Sequence, residues 1–167
     1  MMKKIILISL MLFLLSGCAG TLTSGSANFP GTRAATGRRI FIYDPKYHAW
    51  AAYDESGKLV NTGRATGGKL YCPDIGRPCK TVVGRYHILA KGDVNCKSSK
   101  YPVETRGGAP MPYCMLFHPK GYAIHGTSHV PSSLNSHGCI GVSFTDAKWL
   151  DGFLHIGSTV LVRPYRA

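Results

Sequence analysis

Residues 122–146 read Tyr-Ala-Ile-His-Gly-Thr-Ser-His-Val-Pro-Ser-Ser-Leu-Asn-Ser-His-Gly-Cys-Ile-Gly-Val-Ser-Phe-Thr-Asp. Local structure changes twice along this stretch. Residues 122–125 form a short aromatic and apolar run of strand type that stops at Gly126. A polar connection then leads to Gly138 and Cys139, which places the thiol on a turn between an apolar strand and a helix start. Ser143 with Asp146 three residues on predicts the N-cap of that helix, and Ala147, Trp149, Leu150, Phe153 and Leu154 supply its apolar face. Gly152 weakens the helix interior slightly.

Outside this segment the chain reads as strands. Residues 39–43, 49–53 and 58–63 have strand composition, and Asp54-Glu55-Ser56-Gly57 makes a hairpin turn between the last two. Further runs lie at 81–90, 114–118 and 159–163, each bounded by Gly, Pro or polar residues. Many short strands at this spacing predict a mostly β fold, a sandwich or barrel-like sheet with one short helix after Cys139. No internal repeat or heptad pattern is visible. At 167 residues the chain has room for one domain with a modest core, assigned to residues 38–167.

The amino-terminal end has the order of a secretory signal: Lys3 and Lys4, an apolar run over 5–15, then Ser16 and Gly17. That run is too short to span a bilayer. Leu15-Ser16-Gly17-Cys18 resembles the bacterial lipobox, which implies a signal over 1–17, a lipidated Cys18 and a membrane anchor. Ala19 stands where an inner-membrane retention signal usually has Asp, so the resemblance points to the periplasmic face of the outer membrane. Residues 18–37, rich in Ser, Thr, Gly and Ala, read as a flexible tether.

Formal net charge is +12, and the basic residues are spread from Arg33 to Arg166. No helix-turn-helix, zinc-finger or RNA-binding signature accompanies them, and secretion argues against nucleic acid. An anionic envelope polymer suits spread positive charge, which raises the local concentration of a carboxylate-rich partner, although a surface charged for solubility looks the same.

The six cysteines are Cys18, Cys72, Cys79, Cys96, Cys114 and Cys139. With Cys18 as the anchor and Cys139 as a candidate nucleophile, four remain in an oxidising compartment, which reads as two disulfides. Three pairings are open. Cys72 with Cys79 and Cys96 with Cys114 is favoured, because the first closes the loop Cys72-Pro-Asp-Ile-Gly-Arg-Pro-Cys79. Structural zinc on these four is the rival reading, and the short Cys-x2-Cys knuckles it needs are missing.

Chemistry concentrates at Ile124-His125-Gly126-Thr127 and Ser136-His137-Gly138-Cys139-Ile140. A thiolate is the nucleophile, and a free thiol is mostly protonated at neutral pH, so Cys139 needs a base, which His125 or His137 could supply. A turn flanked by Gly also lets backbone N–H groups converge on an oxyanion. A zinc site from His125, His129, His137 and Cys139 would need His-x3-His on a helix, whereas this segment reads as strand into turn. His48, His87, His118 and His155 read as surface or core residues, and Tyr71, Tyr86 and Trp149 as packing.

These residues resemble the L,D-transpeptidase catalytic domain, also called the YkuD domain, whose signature is a His followed by Ser/Thr-His-Gly-Cys. Thr81-Val-Val-Gly-Arg-Tyr-His-Ile88 is similar to a second family segment, with Val82 in place of Pro, and Gly157-Ser-Thr-Val-Leu-Val162 to its closing strand. The resemblance implies that Cys139 is the nucleophile, His125 the base and the Gly126 carbonyl its orienting partner. It further implies that His137, Gly138 and the Cys139 amide form or brace the oxyanion hole, with Ser136 supporting the turn. Gly141 stands where the family usually has Arg or Asn.

The implied reaction is attack on a peptidoglycan tetrapeptide stem, formation of a thioester and transfer to an amine, by a monomer without metal or organic cofactor. An L,D-carboxypeptidase or endopeptidase using water is the alternative, and an inert wall-binding lipoprotein is another. The chain also resembles small envelope lipoproteins of this type described in intracellular bacteria as enhanced-entry proteins.

Overall fold

The computed structural model describes residues 29–165; the expected signal, Cys18 and the first part of the tether lie outside them. Among the described residues the strands are β1 (Ile40–Asp44), β2 (Ala49–Tyr53), β3 (Leu59–Thr66), β4 (Gly84–His87), β5 (Ala90–Lys91), β6 (Met115–His118), β7 (Tyr122–Thr127), β8 (Ile140–Ser143) and β9 (Thr159–Val162). One α-helix, α1 (Phe144–Phe153), follows β8. The strands form one sheet in the order β4-β9-β1-β2-β3-β8-β7-β6-β5. β1 with β9 and β7 with β8 run parallel, and the other pairs are antiparallel.

The chain itself curls this sheet. β4 pairs with β9 at one end of the order, while β5, only two residues further on, pairs with β6 at the other. The residues between them divide the work: Ile88 N–H donates to the Ser158 carbonyl at 2.9 Å and Leu89 N–H to the Leu116 carbonyl at 2.7 Å. This is why the run at 81–90, read as one strand, is two. β3 turns the other corner and is longer than its expected 58–63, with residues 59–64 paired to β2 and Ala65 and Thr66 paired to β8.

Apolar side chains of the curled sheet meet inside it. Phe41, Tyr43, Trp50, Ala65, Phe117, Ile124, Ile140 and Val142 pack there with Ala147, Leu150 and Leu154 of the helical segment. Ser143 caps α1, its Oγ accepting the Asp146 N–H at 3.0 Å. Every residue of β1 and β2 is buried, because a second cluster of Phe29, Ile40, Ile42, Ala49, Ala51 and Tyr53 covers their other face. Phe29 belongs to that cluster, the Tyr53 hydroxyl donates to the Pro30 carbonyl at 2.9 Å, and Thr32 bridges to Lys58. Residues 29–32, assigned by composition to the flexible tether, therefore lie against the domain. The folded part starts before Arg38 because one isolated aromatic, Phe29, joins the apolar cluster on β1 and β2.

Disulfides join Cys72 to Cys79 and Cys96 to Cys114, and Cys139 carries a free thiol.

Candidate active site

The parallel pairing of β7 and β8 builds the site. Its register sets Ile124 beside Ile140 and His125 beside Gly141. Ile124, Ile140 and Val142 point into the core, so by the two-residue period of a strand Ala123, His125, Cys139 and Gly141 share the opposite face. Cys139 and His125 are thus diagonal neighbours across the strand pair, a relation long side chains can span.

Each group is set by its surroundings. The Cys139 thiol packs with Met111, Cys114 and Ala123 and lies 3.9 Å from the Gly121 carbonyl oxygen. Burial pushes its pKa up, against the smaller opposing effect of the Ala123 backbone N–H. Burial pushes the His125 imidazole down, opposed by its hydrogen bond to the Gly126 carbonyl. That bond is 2.9 Å from Nδ1, and a carbonyl only accepts, so Nδ1 carries the proton and Nε2 presents its lone pair. At rest these shifts favour the thiol at Cys139 and the neutral imidazole at His125.

A small hydrogen-bonded ring fixes the turn before the thiol. Ser136 Oγ accepts the Gly138 N–H at 3.1 Å and donates to the Cys139 carbonyl at 2.5 Å. Gly138 has φ +127°, and a Cβ there would stand 2.5 Å from Tyr122 Cε1, so only glycine fits. The end of β3 zips onto the same loop. The Asn135 and Ser136 N–H groups both donate to the Gly67 carbonyl at 3.0 Å, and the Lys69 N–H donates to the Ser136 carbonyl at 2.9 Å. Thr66 Oγ1 donates to the Ser133 carbonyl at 2.7 Å and accepts the Asn135 N–H at 3.1 Å.

His137 faces sideways along the rim of the site. Its Nε2 is 2.6 Å from Asp74 Oδ2, and its ring stacks on Tyr101 with centroids 4.3 Å apart and planes 24° from parallel. With the Gly138 N–H engaged by Ser136, Gly138 and His137 both brace the turn and the Cys139 amide is the donor closest to the sulfur in sequence. His129 is exposed and accepts from Thr127 Oγ1 through its carbonyl, apart from His125, His137 and Cys139. Among the described residues one cluster could offer three ligand atoms to a metal, Cys72, Asp74 and His137, but its sulfur is held in the disulfide to Cys79.

Sequence reasoning passed over Asp74, Tyr101 and Thr66. The first two lie inside the spans closed by the disulfides, and those spans read as staples rather than as carriers of side chains. Nothing local marks Thr66, which meets its partners only through the β3–β8 pairing.

The model of the L,D-transpeptidase catalytic domain family, YkuD, matches residues 37–162. The chain belongs to that family. The L,D-transpeptidase (residues 123–326) of Xylanimonas cellulosilytica DSM 15894 is 26% identical, with a TM-score of 0.64 over 78% of this chain and 63% of that one. The L,D-transpeptidase of Stackebrandtia nassauensis is 19% identical, with a TM-score of 0.65 over 84% and 62%. L,D-transpeptidase 3 of Mycobacterium tuberculosis, in complex with a faropenem-derived adduct, is 22% identical, with a TM-score of 0.62 over 76% and 60%. The last two carry the L,D-transpeptidase fold alone. This chain spans about three fifths of the length of each of these solved chains. No curated protein matches it. The curled sheet with its single short helix is the fold expected of an L,D-transpeptidase domain.

Proposed function

We propose that the chain is a peptidoglycan L,D-transpeptidase in which Cys139 is the nucleophile and His125 the base. The observation that carries this reading is the His125 tautomer: the Gly126 carbonyl holds the Nδ1 proton and leaves Nε2 free on the face that carries the Cys139 thiol. Nε2 takes the thiol proton as sulfur attacks the carbonyl carbon of the L-to-D bond before the terminal D-residue of a tetrapeptide stem. The Cys139 amide donates to the developing oxyanion, while Ser136 and Gly138 hold the turn in place. Collapse of the tetrahedral intermediate expels the D-amino acid, protonated by the His125 imidazolium, and leaves a thioester on Cys139. An acceptor amine then gives its proton to His125 and takes the acyl group, regenerating the thiol.

Spread positive charge favours an anionic wall polymer, and residues 1–18 favour export with a lipid at Cys18 and residence at the periplasmic face of the outer membrane. The domain acts as a monomer without metal or organic cofactor.

The test is intact-protein mass spectrometry after incubation with a tetrapeptide muropeptide or with faropenem. An adduct on Cys139 that is lost in Cys139→Ala is expected, together with an amine-linked product. Release of free tripeptide stem without any cross-link would make water the acceptor and the protein a carboxypeptidase. No adduct on a free Cys139 would leave a wall-binding lipoprotein.

A further inference from the structure

Two loops closed by separate disulfides each deliver one side chain to the same imidazole. Asp74 arrives from the loop between Cys72 and Cys79, and Tyr101 from the span between Cys96 and Cys114. We propose that Asp74 is a positioning residue of the active site, acting through His137, and that the Asp74–His137–Tyr101 clamp fixes the peptide that leads into Cys139. This rests on the transpeptidase reading above.

The delivery is firm on both sides. Around Asp74 the Cys72 N–H donates to the Arg77 carbonyl at 3.0 Å, the Ile75 N–H to the Cys72 carbonyl at 3.3 Å and the Gly76 N–H to the Pro73 carbonyl at 3.2 Å. The sulfurs of Cys72 and Cys79 lie 3.9 and 3.7 Å from the carbonyl oxygen of Ser136, the residue before His137. Around Tyr101, Ser98 Oγ accepts its N–H at 2.9 Å and its carbonyl accepts the Ala109 N–H at 2.9 Å. Each loop is also closed at its base by a disulfide.

The chemistry of the contact is directional. His137 holds Asp74 below the usual carboxylate range through the hydrogen bond itself, so the acceptor is an anion and Nε2 must carry a proton. A ring held at Nε2 and stacked on one face cannot rotate, and its backbone is the one that enters the φ +127° residue Gly138. Loss of the anion leaves the ring held by the Tyr101 stack alone and the His137–Gly138 peptide, which leads into the Cys139 amide, held by Ser136 Oγ alone. The effect therefore falls on the acylation step.

The experiment uses the full chain and its Asp74→Asn, Asp74→Glu, Tyr101→Leu and Tyr101→Phe variants. A long-range 1H–15N spectrum reads the His137 tautomer without substrate, and faropenem acylation of Cys139 gives a rate constant and a half-saturating concentration. The expected result is a protonated Nε2 signature lost in D74N, an acylation rate constant lower by roughly tenfold in D74N and Y101L with half-saturation unchanged, and recovery in D74E and Y101F. Wild-type acylation by D74N overturns the proposal. So does a slower D74N whose His137 signal is unchanged and whose melting temperature has fallen, since that is loop destabilisation alone. A wild-type chain whose free Cys139 is never acylated overturns the transpeptidase reading and this proposal with it, and is told apart because it fails before any variant is compared.

Discussion

Gly138 and Tyr122 approach so closely that the aromatic edge occupies the place of a side chain: a Cβ on Gly138 would lie 2.5 Å from Tyr122 Cε1. The contact joins the first residue of β7 to the residue before the thiol, so the strand that carries His125 also presses on the turn that carries Cys139.

Gly138→Ala is therefore expected to abolish faropenem acylation of Cys139. Two costs add, the ring collision and a φ of +127° that an L side chain resists by about 1–3 kcal/mol. Tyr122→Ala in the same chain removes the collision and leaves the φ strain, so acylation by the double variant should recover in part only. Full recovery would show that the backbone angle is of no consequence.

Ser136→Ala leaves the Gly138 N–H without its acceptor and the Cys139 carbonyl without its donor. Unsatisfied groups at a half-buried turn cost about 1–3 kcal/mol, so acylation should slow by roughly one to two orders of magnitude. Ser136→Thr keeps the hydroxyl and should keep most of the rate. Equal rates for Ala and Thr, measured by mass spectrometry over time, would remove Ser136 from the support of the turn.

How much of this was legible in the sequence depends on separation along the chain. His125, Gly126, Ser136, Gly138 and Cys139 announce themselves because strand, turn and capped helix follow one another within 122–146 and carry their own propensities. The Asp74–His137 contact joins residues 63 apart, and Thr66 meets Asn135 across 69. No local pattern encodes either, because both exist only once β3 lies beside β8. The same holds for the break at Ile88 and Leu89, whose apolar run is continuous in sequence but is pulled to two edges of the sheet, and for Phe29, a single apolar residue in a polar stretch.

The resting protonation states give a pH prediction. A free imidazole titrates near ~6.5 and a free thiol near ~8.5, and burial moves His125 down and Cys139 up from those values. His125 thus remains a neutral base below the ordinary histidine range, and the acid limb of the acylation profile should have its midpoint below about 6.5. Iodoacetamide, which needs no base from the substrate complex, should alkylate Cys139 slowly at neutral pH and accelerate only on the alkaline side of a free thiol. Rapid alkylation that is flat through neutrality would mean a standing thiolate–imidazolium pair and would contradict the burial argument. Stability has a matching sign. Between the folded and unfolded pKa of His125 the unfolded chain binds more protons, so the melting temperature should decline as pH falls through that window.

Gly141 tests the departure from the family pattern, since Arg or Asn is usual there and this chain leaves the position beside His125 bare. A Cβ at Gly141 would come 3.0 Å from Thr66 Cγ2 and 3.4 Å from Thr127 Cγ2, and Thr66 is not free to yield. Its hydroxyl holds the Ser133 carbonyl and the Asn135 N–H, so movement of the methyl drags on the loop that leads to Cys139. Gly141→Asn should consequently destabilise the domain by about 1–3 kcal/mol, the usual cost of overpacking. Thr66→Ser removes the offending methyl and retains the hydroxyl, so the double variant should regain much of that loss, a favourable coupling that a double-mutant cycle measures directly. Thr66→Val keeps the methyl and replaces the hydroxyl with a second one, and combined with Gly141→Asn it should be worse than either change alone. Additive melting temperatures across the Gly141→Asn and Thr66→Ser cycle would mean that Thr66 and position 141 do not compete for space, and the bare glycine would then need another cause.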